Sequence, residues 1–205
     1  MLILCSNGLS SNELLLQFKD KICNCKHAAL VVTADPVYKE KNYHVPRCIQ
    51  ELESLGLTVD IFDLDVQPAE QLLQYDVVEF IGGNPYYLLN SVRNTDSTEI
   101  LRNLSWNKFL IGWSAAAFVF GPTLALADKY TPEMNELGLT DLNGIHLTEC
   151  VVLPHYSKFI HKFHHFEEIC KLFEAENHTN VIRLNDGDGI FIMDTDITIC
   201  RGDSI

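Results

Sequence analysis

Three apolar runs in this 205-residue chain each end in residues suited to acyl-transfer chemistry. One ends in Phe80-Ile81-Gly82-Gly83-Asn84. Paired glycines after a strand leave backbone N–H groups unobstructed, an arrangement able to hold a developing oxyanion. The second is Ile111-Gly112-Trp113-Ser114-Ala115-Ala116-Ala117. A serine at a sharp strand-to-helix turn is presented as a nucleophile, and the small residues after it let the helix pack close to the sheet. The third is Val152-Leu153-Pro154-His155-Tyr156, where a proline fixes a histidine just past a strand. That histidine is a candidate general base. Taken singly these patterns have plainer readings. Gly-Gly-Asn also makes a tight turn, and Gly-x-Ser-x-Ala also makes a small-residue packing contact. Three such strand ends in one chain point to an enzyme.

The elements that must position these residues alternate along the chain. Strands are expected at Leu2–Cys5, Ala28–Thr33, Thr58–Leu64, Val77–Ile81 and Phe109–Gly112. Helical patterns run from about Asn12 to Ile22, over 45–55, briefly at Ala69–Leu73 and from Tyr86 to Arg93. Helical or irregular chain follows Ser114 to about Gly138. A strand over His146–Leu153 and a helix over 159–175 come next. The C-terminal strands Val181–Leu184, Gly189–Met193 and Ile197–Cys200 are expected to form a hairpin at one sheet edge. This order predicts an α/β fold: a doubly wound, mainly parallel sheet with helices on both faces. In such sheets ligands bind beyond the carboxyl ends of strands, where all three motifs fall. No composition shift divides residues 1–205, so a single domain is expected.

The formal net charge of −13 argues against nucleic acid and anionic membrane as partners. Met1-Leu2-Ile3-Leu4-Cys5 lacks a basic n-region and a cleavage site, so no signal peptide is expected. Seven irregularly spaced cysteines do not read as a disulfide framework, and a cytoplasmic location follows as the expectation. Cys23-Asn24-Cys25 lacks the second ligand pair of a zinc site. His161, His164 and His165 share a helical face, and a solvated face is the favoured reading of them over a metal site.

At Gly82-Gly83-Asn84-Pro85-Tyr86-Tyr87-Leu88-Leu89, Ile111–Ala117, Gly121-Pro122-Thr123 and Leu153-Pro154-His155-Tyr156 the sequence resembles the dipeptidase E (aspartyl dipeptidase) family of serine peptidases. The resemblance covers almost the whole chain and implies a flavodoxin-like fold similar to class I glutamine amidotransferases. It implies Ser114 as nucleophile, His155 as base, and the N–H groups of Gly83 and Ala115 as oxyanion hole. It places the triad acid in the stretch after the serine, at Asp128, with Glu133 as second choice. Family members usually read Ser-Ala-Gly-Ala at the elbow. Here Ala116 replaces the glycine, and its methyl is expected to crowd the elbow or the substrate's path.

The reaction so implied is hydrolysis of short peptides through an acyl-enzyme, with no cofactor and no metal. The family's preference for an N-terminal aspartate would require a cation, for which Lys158 and Lys129 are the candidates; Asn84 is a further candidate for holding substrate. Two other readings stay open: an esterase or amidase acting on a small acyl substrate, and a catalytically inactive binding protein of the same fold. An open sheet edge would allow a homodimer.

Overall fold

A computed structural model describes residues 1–202. Nine strands run in chain order: β1 (Leu2–Cys5), β2 (His27–Val31), β3 (Thr58–Phe62), β4 (Val77–Phe80), β5 (Phe109–Trp113), β6 (Val151–Leu153), β7 (Val181–Arg183), β8 (Gly189–Met193) and β9 (Asp196–Cys200). Eight helices join them: α1 (Asn12–Lys19), α2 (Val45–Ser54), α3 (Pro85–Asn94), α4 (Thr98–Asn107), α5 (Ala115–Phe120), α6 (Ala125–Asp128), α7 (Tyr156–Lys162) and α8 (Phe166–Asn177).

Seven strands form one sheet in the order β3-β2-β4-β5-β1-β8-β9. The first five pair in parallel, and β8 and β9 add antiparallel. Strand composition follows position. β1 and β4 are buried at every residue, whereas the edge strands β3 and β9 expose most of theirs. A strand covered on both faces needs an unbroken apolar run, and an edge strand does not. Alternation then sends Leu2 and Leu4 of β1 into one core layer and Ile3 and Cys5 into the other. Helices α1 and α2 cover the second layer through Leu14, Phe18, Val45, Cys48 and Leu52. Helices α3, α4, α5 and α8 cover the first.

Three expectations are revised. β7 does not join the C-terminal hairpin; it pairs in parallel with β6 as a separate two-stranded sheet. Only Val151–Leu153 of the strand expected from His146 is extended in a ladder. The helix expected over 159–175 is two helices, broken where Phe163 is extended and His165 is left-handed (φ 54°). Helix α4 has no counterpart in the sequence reading; it buries Leu101 and Leu104.

Candidate active site

The carboxyl ends of β1, β4 and β5 meet at Ser114. This residue follows β5 with φ 53° and ψ −108°, far from the regular regions for a side chain-bearing residue. Such a conformation costs on the order of 1–3 kcal/mol and persists only where its surroundings enforce it. They do so here: the Ser114 N–H donates to the Cys5 carbonyl at 3.3 Å, and all six residues of α5 are buried. The turn after β4 is equally constrained. A Cβ on Gly82 would lie 2.5 Å from the Trp113 ring and 2.9 Å from Ser114 Cβ. One on Gly83 would lie 2.2 Å from the Ala34 carbonyl oxygen. Glycine is therefore the residue that lets this turn close onto the serine. Among the described residues neither the Gly83 nor the Ala115 N–H donates to a protein acceptor.

His155 is left-handed (φ 56°, ψ 27°) and stands at the N-terminus of α7. Its Nε2 lies 3.1 Å from Ser114 Oγ and its Nδ1 lies 2.6 Å from Asp186 Oδ1. Asp186 sits in the Asn185-Asp186-Gly187-Asp188 turn between β7 and β8. Lys158 pairs with its other carboxylate oxygen. Ser6, wholly buried at the end of β1, joins the two partners. Its hydroxyl accepts from the His155 backbone N–H at 2.8 Å and donates to Asp186 Oδ1 at 2.9 Å. Asn7 holds the turn itself, accepting from the Gly187 N–H at 3.0 Å. Burial disfavours the charged form of Asp186, but hydrogen bonds from His155, Lys158 and Ser6 outweigh it. They hold the carboxyl well below the usual carboxylate range.

The carboxylates expected after the serine do not reach the histidine. Asp128 accepts a hydrogen bond from Tyr86 Oη at 3.0 Å, and Glu133 is exposed; neither hydrogen-bonds His155. The carboxylate against His155 is that of Asp186. Asn84 borders neither cavity described below: its Oδ1 caps α3, accepting from the N–H groups of Tyr86 and Tyr87, and its Nδ2 donates to the Met134 carbonyl. Lys129 lies 3.7 Å from Glu176 and borders neither cavity described below. Ala116 is wholly buried in the core and lines neither cavity described below.

Two cavities open at the serine, and Gly83, Ser114, His155 and Phe159 border both. One, of about 140 Å³, is walled by Phe118, Ala127, Tyr130, Thr131, Met134 and Pro154. The other, of about 410 Å³, carries the polar side chains of Asn7, Asn42, His44 and Lys158 beside the rings of Tyr43 and Trp113. His44 stacks on Tyr43 with ring centroids 3.9 Å apart. Burial, then the positive charges of Arg47, His155 and Lys158, lower its pKa and favour the neutral ring.

A model of peptidase family S51 matches residues 2–200. The chain belongs to peptidase family S51. Two uncharacterized peptidases resemble this S51 chain in sequence. That of Listeria monocytogenes is 28% identical over 137 residues, covering 64% of this chain and 66% of that protein. That of Listeria innocua is 28% identical over 137 residues, covering 64% and 65%. The match thus spans just under two thirds of those relatives' length. In three dimensions the S51 chain is similar to a candidate peptidase E protein of Listeria monocytogenes EGD-e. Their TM-score is 0.79 at 23% identity, over 98% of this chain and 97% of that one. A peptidase from an acI-B1 Actinobacterium gives a TM-score of 0.67 at 20% identity, over 98% and 90%. These likenesses establish the shared α/β fold.

Away from the serine, Cys48, Glu51 and Glu79 bring one ligand atom each within 4.8 Å of one another beneath Trp113. Arg47 already pairs with Glu51 there, at 2.5 Å. His161, His164 and His165 form no such group among the described residues. No helix among the described residues is long and apolar enough to cross a membrane.

Proposed function

We propose that this chain is a serine peptidase that hydrolyses short peptides through an acyl-enzyme on Ser114. The observation that carries this reading is the unbroken line from Ser114 Oγ through His155 to Asp186 at the junction of two cavities. His155 Nε2 takes the proton of Ser114 Oγ as that oxygen attacks the peptide carbonyl. Asp186 fixes the ring so that Nδ1 carries the hydrogen and Nε2 the lone pair, and it stabilises the imidazolium that forms. The tetrahedral oxyanion is received by the Gly83 and Ala115 N–H groups, each worth about 2.7–4 kcal/mol in comparable sites. His155 then protonates the leaving amine, and water enters by the same route in reverse.

The cavity of about 140 Å³ beside the serine has room for about one side chain, and that favours short substrates. Among the described residues Lys158 is the only lysine or arginine bordering either cavity, and it is engaged with Asp186. The lining therefore offers no dedicated cation for an N-terminal aspartate.

Incubating the purified chain with peptides of two to eight residues and identifying products by mass spectrometry tests the proposal. Cleavage of the shortest peptides, abolished by Ser114→Ala, is expected. Cleavage that survives Ser114→Ala would refute it.

A further inference from the structure

The smaller cavity beside Ser114 has chemistry that the catalytic groups do not explain. Phe118, Ala127, Tyr130, Met134, Pro154 and Phe159 give it apolar walls, and no lysine or arginine lines it. The one hydroxyl on the Thr131 side chain is spent, donating to the Ala127 carbonyl at 3.0 Å. The walls are also firmly held. Tyr130 packs against Phe159, Phe163 and Phe166 with ring centroids 5.0–5.3 Å apart. The Met134 backbone is tied to α3 by Asn84. At about 140 Å³ the space matches the apolar cavities of roughly 150 Å³ that accept a benzene-sized guest.

We propose that this cavity selects a single uncharged apolar side chain, of leucine, methionine or phenylalanine size, next to the scissile bond, and that it rejects aspartate. The inference rests on the peptidase reading above and names its substrate class. An apolar side chain entering the cavity leaves water for a matching surface. An aspartate carboxylate entering it loses its hydration and meets no cation in the walls: the Gly83 and Ala115 N–H groups are required by the oxyanion, which leaves the neutral Tyr130 hydroxyl as a single donor. Discrimination should exceed the roughly 10–200-fold that one methylene commands in an apolar pocket, because a buried unpaired charge is the heavier penalty.

The test is a matrix of dipeptides with the full chain: Leu-Ala, Met-Ala, Phe-Ala and Asp-Ala, with the reversed sequences to show which side of the bond the cavity serves. Labelling of Ser114 by a fluorophosphonate runs in parallel as a measure of the activated serine alone. The expected result is label on Ser114 and a kcat/KM for the best apolar dipeptide more than about two hundredfold above its aspartyl counterpart. Met134→Arg, which sets a cation in the cavity wall and leaves the Asn84 bond to the backbone carbonyl in place, should shift that ratio toward aspartate by tenfold or more. Met134→Leu should leave it near the wild-type value. Labelled Ser114 with aspartyl dipeptides cleaved as fast as apolar ones, or with no apolar dipeptide cleaved, overturns the inference and spares the serine-hydrolase reading. Absence of both label and cleavage overturns both.

Discussion

Asp186 Oδ1 lies 2.6 Å from Nδ1 of His155, although they stand 31 positions apart in the chain, with two helices and one strand between them. The contact brings the turn before β8 against the end of β6 and makes the carboxylate on the histidine a C-terminal one. Replacing it with the isosteric amide should leave the fold intact and allow the imidazole the wrong tautomer. Asp186→Asn is expected to lower kcat by about 10⁴-fold. Asp128→Asn, which only weakens the bond from Tyr86, should change kcat by less than tenfold. Steady-state kinetics on the two variants separates these outcomes, and the reverse ranking would return the acid to the stretch after the serine.

Ser6 should matter to both stability and rate. Ser6→Ala removes the acceptor of the His155 N–H and one donor to Asp186 in a fully buried setting. An unsatisfied buried group typically costs about 1–3 kcal/mol, which denaturant unfolding would register. With the histidine's backbone less firmly held, kcat is expected to fall about tenfold. An unchanged unfolding midpoint would show that water replaces the hydroxyl without loss.

How far these partners were legible in the sequence depends on where each sits. Ser114 and His155 could be read because each directly follows a strand of its own, and in this fold chemistry collects there. Asp186 also follows a strand, Val181–Arg183, but its Asp-Gly turn reads first as a hairpin connection, and nothing local links it to His155. The serine's downstream neighbourhood drew the expectation to Asp128, whose carboxylate the structure commits to Tyr86. Ser6 lies in Ser6-Asn7-Gly8, which in sequence reads only as a turn. The break between α7 and α8 carries no glycine or proline; it accompanies the packing of Phe159, Phe163 and Phe166 around Tyr130, a tertiary demand that periodicity does not encode. Strand positions were the most legible feature, because strands covered on both faces must be apolar throughout.

Glu79 should make stability fall as pH rises. It lies in the centre of the sheet, and neither carboxyl oxygen finds a hydrogen-bond partner among the described residues. Burial first, then the charge of Glu51 against the opposing pull of Arg47, raises its pKa to about 8 from an ordinary 4.5. Below pH 4.5 the folded and unfolded chains both hold this proton, and the group has no net effect. Between about 4.5 and 8 the unfolded chain has released it and the folded chain retains it. Stability therefore declines by up to about 1.4 kcal/mol per pH unit and levels off above 8. Glu79→Gln removes the titration. The gap in Tm between Glu79→Gln and wild type is expected to widen in favour of the variant from pH 5 to pH 8. A gap independent of pH would show that Glu79 is ionised and paired in the folded protein.

The central claim is that Ser114 is a nucleophile activated by His155 and Asp186. Fluorophosphonate labelling of the wild-type chain beside Ser114→Ala, His155→Ala and Asp186→Asn, with the modified residue located by mass spectrometry, tests it most directly. Label should fall on Ser114 of the wild type, vanish in Ser114→Ala, and form at least a hundredfold more slowly in the other two. A folded wild-type protein that takes no label between pH 6 and 9, or that labels equally fast without His155, would contradict it.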